Sequence, residues 1–189
     1  TQGAIRHTSV IPIAGDQITN DIAMALRTPT REAEDIKCRY GCALSQLADP
    51  SATMEVAGVD DRPSRKLSRR ALADVIQPRV EELYELIQHE LRRAGFEEVL
   101  SSGIVLTGGA SVMPGMVELG EEIFHMPVRL GSPKYTGSLA DVVQSPLFST
   151  SFGLLLEAQA QRKRGQKIKE KQGVKDVFDG MKSWFAKNF

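Results

Sequence analysis

The sequence predicts an α/β fold on three observations: β-branched runs, segments of helical apolar period alternating with them, and glycine- and proline-rich joints between the two. With 189 residues, 41% of them hydrophobic, the chain suffices for one domain or two small subdomains. Such a composition excludes a disordered tail or a fibrous repeat. The formal charge is balanced, 24 basic against 24 acidic residues, which leaves no uniform basic surface for nucleic acid. The balance hides an asymmetry, because residues 1–158 carry 15 basic and 21 acidic side chains whereas residues 159–189 carry 9 and 3.

Residues 4–13 are rich in β-branched side chains and predict a strand that turns at Ala14 and Gly15. Ile18, Ile22, Ala25 and Leu26 then keep helical spacing, with Asp21 on the other face. A second helix is expected after Thr30 as N-cap, with acidic residues in its first turns, ending at Tyr40 where Gly41 stops it. Residues 43–47 and 53–58 read as two short strands around Asp49, Pro50 and Ser51. Ser68 caps a long helical stripe from Leu72 to Leu91, which Pro78 is expected to kink or divide. Residues 103–107 form an unbroken apolar run of buried-strand type that ends in Gly108 and Gly109. A helix over 114–125, a short strand over 127–130 and a helix over 146–161 complete the body.

Cys38 and Cys42 are too few for a disulfide framework, so reduced thiols are the expectation. On a helix their spacing would offer half a metal site, but His7, His89 and His125 are scattered and no metal is expected. No segment approaches the roughly 18 apolar residues of a membrane span, and the first residues lack a signal-peptide pattern, so neither spanning nor export is expected. The chain starts at Thr1 without methionine and enters a strand-like run almost at once, which reads as a piece of something longer.

Glu34 and Lys37 stand three apart on one helix face, where a carboxylate and an ammonium can reach ribose hydroxyls or form an exposed ion pair. The Gly108 and Gly109 turn lets backbone N–H groups approach a ligand, or is a plain tight turn. Arg62, Arg65, Lys66, Arg69, Arg70 and Arg79 concentrate positive charge that suits an acidic peptide or a solvated face; with no aromatic platform among them, single-stranded nucleic acid is disfavoured. Residues 159–173 are basic and lack apolar period, as a flexible linker does. Beyond them Val174, Val177, Phe178, Met181, Trp184 and Phe185 share one face while lysines and aspartates take the other, the pattern of a helix lying in a membrane interface or docking on the protein itself.

The runs VIPIAGDQITNDIA, AEDIKCRYGCAL, LADVIQPRVEEL and GIVLTGGASVMPGM, followed by SPLFSTSFGLL, resemble the bacterial FtsA family of the actin/Hsp70 superfamily, in order and across essentially the whole chain. The resemblance implies an actin-like, ribonuclease-H-like α/β fold of which this is the carboxy-terminal half. It further implies a core subdomain (2A) over 1–28 and 96–158, an inserted small α+β subdomain (2B) over 29–95, the linker over 159–173 and an amphipathic helix over 174–189. Glu34, Lys37, Gly108, Gly109 and Ala110 match the family's nucleotide-binding positions, which implies ATP with Mg held by phosphate-binding elements outside this chain. Ala14 and Gly15 stand where the family often has two glycines, and a structural role is expected of them. Arg79, with Arg65 and Arg69 as neighbours, is implied to receive the carboxy-terminal tail of FtsZ, since a guanidinium fork matches a carboxylate. Val177, Phe178, Met181, Trp184 and Phe185 are implied to bind anionic lipid on the cytoplasmic face of the inner membrane at the division site. Self-assembly into filaments completes the implied partners.

The phosphate-binding hairpin expected before Thr1 is missing, so no ATP hydrolysis is expected from these residues, and an exposed sheet edge is expected to make them unstable or aggregation-prone alone. A sugar-kinase or chaperone-type ATPase of the same superfamily is disfavoured by the membrane-type end and by the lack of an acid/base pair; a pilus-assembly adaptor of the same fold remains open.

Overall fold

The computed structural model describes residues 5–58, 63–97 and 99–164. Among the described residues six α-helices and four short strands follow one another: α1 Gly15–Leu26, α2 Thr30–Tyr40, β1 Thr53–Val56, β2 Arg65–Ser68, α3 Arg69–Arg93, β3 Ile104–Leu106, α4 Met116–Phe124, β4 Val128–Leu130, α5 Ala140–Val143 and α6 Ser149–Lys163. The chain divides into two compact units, Thr1–Ser149 and Thr150–Phe189. The helix expected over 174–189 and its membrane-facing residues Val177, Phe178, Met181, Trp184 and Phe185 lie outside the described residues.

The core of the first unit is built where three helical stripes meet. Ile18, Ile22 and Leu26 of α1, Leu72, Ile76, Val80 and Tyr84 of α3, and Met116, Leu119 and Phe124 of α4 are all buried in one cluster, joined by Met54 and Val56 of β1 and Val128 of β4. Tyr84 anchors the α3–α4 contact: its ring lies 5.0 Å from that of Phe124, and its hydroxyl donates to the Met116 carbonyl at 2.9 Å. Burial pushes that phenol well above its ordinary range, so it stays a donor throughout the range in which the chain can be studied.

β1 and β2 pair antiparallel, Thr53 opposite Ser68 and Val56 opposite Arg65. β3 and β4 pair parallel, Ile104 opposite Val128 and Leu106 opposite Leu130, with α4 as the crossover. Gly103 makes this junction possible: it sits at φ +77°, and a Cβ there would fall 2.0 Å from the Pro127 carbonyl oxygen, which accepts from the Ile104 N–H.

Four expectations are corrected. Residues 5–13 form no strand; they find no ladder partner among the described residues, and β-branched composition without a partner gives extended chain only. Residues 43–47 are not a strand either, because Ser45–Leu47 close a 3-10 turn fastened by the Gln77 side chain accepting from the Ser45 N–H. The strand that pairs with β1 is instead β2, over residues the sequence reading gave no strand. Finally, α3 runs through Pro78 as one helix of 25 residues and is not divided, its apolar stripe holding both halves to the core. The short α5 is additional, and 3-10 turns at Gly109–Val112 and Pro146–Phe148 precede α4 and α6.

Candidate functional site

The beginning of α1 and the middle of α2 are brought face to face by their buried stripes, with Ala33 and Ile36 of α2 in the same cluster as Ile18 and Ile22. This places the Lys37 ammonium, only 9% exposed, over the first turn of α1. Its three N–H groups go to the Gly15 carbonyl at 3.1 Å, the Thr19 hydroxyl at 2.8 Å and Glu34 Oε2 at 2.6 Å. An ammonium has three donors, so Lys37 is fully used inside the protein. The Thr19 hydroxyl in turn donates to Glu34 Oε2. Burial alone would push the Glu34 carboxyl up, yet the hydrogen bonds from Lys37, Thr19 and Cys38 together hold it below the ordinary carboxylate range. The side chain of Glu34 remains 45% exposed, so an ionised, oriented carboxylate faces outward from a fixed base.

Thr19 is the member of this cluster that sequence reasoning missed, while Gly15, expected to play a structural role, accepts from Lys37 through its carbonyl. The signal was a glycine at a helix start followed one turn later by a polar residue on the buried face, Thr19 being 4% exposed. A Cβ on Gly15 would lie 3.3 Å from the Lys37 ammonium, which gives that glycine a packing reason.

The second expected element, the glycine turn, follows β3. Gly108 adopts φ +93° with open space where a Cβ would stand, and its N–H donates to the Pro146 carbonyl at 3.2 Å. At Gly109 a Cβ would meet Leu147 Cδ1 at 2.8 Å. Ala110 is exposed in the 3-10 turn, and Ser111 closes the turn by donating to the Gly108 carbonyl at 2.7 Å. The residues after this turn pack on the exit from α2: the Ala43 N–H donates to Pro114 O at 2.8 Å, and Gly115 presses against the Leu44 backbone. One segment, 41–44, therefore supports both the Glu34 helix and the glycine turn.

The three arginines have partners within the chain. Arg79 forks onto Asp21, Nε to Oδ2 at 2.6 Å and Nη2 to Oδ1 at 3.1 Å, and also reaches Glu82. It bridges α3 to α1, and a partner's carboxylate would compete with Asp21 and Glu82 for it. Arg65 donates to the Leu26 carbonyl and Arg69 to the Tyr40 carbonyl at 2.9 Å, the last residues of α1 and α2. Cations at those ends answer both the unpaired carbonyls and the helix dipoles. The two thiols are free, as expected: Cys38 is exposed and donates to Glu34 Oε1 at 3.4 Å, while Cys42 lies past the end of α2, buried, donating to the Leu44 carbonyl at 3.2 Å. Because Gly41 ends the helix between them, they do not share a helical face.

The sequence profile of the family described as Cell division protein FtsA matches residues 1–153. The chain belongs to the FtsA family. Relatives include Cell division protein FtsA of Pseudomonas aeruginosa, 54% identical over the whole chain, of Neisseria meningitidis, 44% identical over 99% of it, and of Escherichia coli strain K12, 41% identical over all of it. The chain spans about half of each of these, 47% of their length. Among solved structures it is similar to MreB 5 of Spiroplasma citri bound to AMPPNP, with a TM-score of 0.58 at 17% identity over 79% of this chain and 47% of that one. That likeness establishes an actin-like fold. The same protein bound to ADP gives a TM-score of 0.55 at 18% identity, covering 78% of this chain and 47% of that one.

Proposed function

We propose that the FtsA-family chain closes one side of an ATP site, receives the carboxy-terminal tail of FtsZ and reaches the inner membrane through residues 174–189, tethering the cytokinetic ring at the division site. The nucleotide reading is carried by Glu34: an ionised carboxylate, fixed by Thr19 and Lys37 yet 45% exposed, suits a pair of ribose hydroxyls. The open space at Gly108, where a side chain would intrude, suits an adenosine against the turn. The phosphates and Mg fall to elements beyond these residues; among the described residues no three His, Cys, Asp or Glu side chains cluster as a metal site. ATP supplies conformational control of assembly in this reading, with weak hydrolysis at most in the full-length protein.

Partner binding is supported by the exposed Arg65, Lys66 and Arg70 of β2 and α3, with the half-buried Arg69 and Arg79 further along the same segment. The membrane reading rests on the sequence pattern of 174–189; no described helix is long and apolar enough to cross a membrane. One such amphipathic helix binds with K on the order of 10⁴ M⁻¹, comparable to a single lipid chain, so filament assembly would multiply weak anchors on the cytoplasmic face. Liposome co-sedimentation of full-length protein, wild type against Trp184→Glu, with and without anionic lipid, tests the anchor. Sedimentation lost in the variant and in neutral vesicles is expected; equal sedimentation of both forms removes the membrane part. Titration with ATP tests the nucleotide part, and saturable binding that Glu34→Gln weakens is expected.

A further inference from the structure

The Thr19 hydroxyl has one proton to give and two acceptors within reach, the Gly15 carbonyl at 3.0 Å and Glu34 Oε2. Both acceptors already take an N–H from Lys37, and the anionic carboxylate is the stronger of the two, so the Thr19 proton goes to Glu34. Lys37 also donates into the Thr19 oxygen, and this polarises the O–H that points at Glu34. Glu34 Oε2 is thereby gripped from two directions, while Oε1 receives the weak Cys38 thiol donor and the side chain as a whole stays 45% exposed. A glutamate on an open helix surface samples many rotamers and loses that freedom when a ligand binds; here the freedom is lost at folding.

We propose that Thr19 is a positioning residue for sugar recognition: it orients the Glu34 carboxylate for two neighbouring hydroxyls, so that preference for a ribonucleotide over a deoxyribonucleotide depends on it. Thr19 is 4% exposed and does not itself reach a ligand. The inference rests on the nucleotide reading above and concerns how that site selects its sugar.

The test is the ratio of affinities for ATP and 2′-deoxy-ATP in the full-length protein, read by fluorescence titration for wild type, Thr19→Val, Thr19→Ser, Glu34→Gln and the double variant Thr19→Val with Glu34→Gln. Wild type is expected to prefer ATP. Thr19→Val is expected to reduce that preference about tenfold, the worth of a charge-assisted hydrogen bond, and Thr19→Ser to restore it. The double variant is expected to be no less selective than Glu34→Gln alone, because the two side chains act as a unit. A fall in affinity that is equal for both nucleotides marks a merely structural role and overturns the inference. So does an unchanged ratio in Thr19→Val, or a wild type indifferent to the 2′-hydroxyl. A wild type that binds neither nucleotide overturns the nucleotide reading itself. Should Thr19→Val not fold, Thr19→Ala carries the same comparison.

Discussion

At the scale of single residues, the buried ammonium of Lys37 and the positive-φ glycines Gly103 and Gly95 set the sharpest demands. Replacing Lys37 by methionine leaves the Gly15 carbonyl, the Thr19 oxygen and Glu34 without their shared donor. A loss of about 2 kcal/mol is expected in urea unfolding, the cost of buried acceptors left unpaired. Gly103→Ala and Gly95→Ala separate two costs that glycine positions combine. Both have positive φ, +77° and +71°, but only at Gly103 would a Cβ strike backbone, whereas nothing lies within 4 Å at Gly95. Gly95→Ala is therefore expected to cost about 1 kcal/mol, the conformational penalty alone, and Gly103→Ala clearly more, as compared by thermal unfolding of the two variants.

The Glu34 and Lys37 pair was legible because three residues of spacing put two side chains on one helix face. Thr19 was not, since its role depends on which helix packs against α1. The same limit applies to Arg65, Arg69 and Arg79: a run of arginines is visible in the sequence, but the carbonyls and carboxylates that receive them lie far away along the chain, 58 residues in the case of Arg79 and Asp21.

At the scale of elements, α3 is the organiser. It contacts α1 on one side and α4 on the other, and its Tyr84 hydroxyl reaches across to the Met116 carbonyl. Tyr84→Phe keeps the ring packing on Phe124 and deletes only that donor, so a loss of about 1 kcal/mol is expected in chemical denaturation. A much larger loss would mean that the hydroxyl holds the start of α4 in place as well. The long helix over 69–93 was legible because Leu72, Ile76 and Val80 keep one spacing and are all buried, whereas Tyr84 was missed and Leu86 of the same reading is exposed. Short β-rich segments were not legible. The β-branched stretch over 5–13 and the pair β1 and β2 differ in whether a partner is at hand, which pairing decides and composition does not.

At the scale of the whole molecule, the pH dependence of stability follows from carboxylates held below their ordinary range. Arg93 and His7 hold Glu90 at about 2 against an ordinary 4.5. Ser51 lowers Asp49, and Glu34 is lowered despite its burial. A carboxylate depressed in the folded state stabilises it fully above the unfolded value and loses that contribution as pH falls through the folded one. The melting temperature is accordingly expected to drop between about 4.5 and about 2 for Glu90, with Glu90→Gln flattening part of that slope. An acid limb of the same shape in Glu90→Gln would show that the His7, Glu90 and Arg93 contacts do not hold the segment over 5–13 to α3 in a way that matters for stability.

The sequence by itself determined the α/β class, the order of the long helices, the strand leading into two glycines, though not its burial, and membership of the FtsA family, all of which depend on local periodicity or on runs of residues in order. Only the tertiary structure decided that Lys37 is used up internally, that Thr19 stands behind Glu34, that Arg65 and Arg69 close the ends of α1 and α2, and that α3 passes unbroken through Pro78. The physical reason is common to all four. Each depends on a donor, an acceptor or a packing surface brought from a distant part of the chain, and hydrogen-bond satisfaction in a folded core is settled between elements rather than within them.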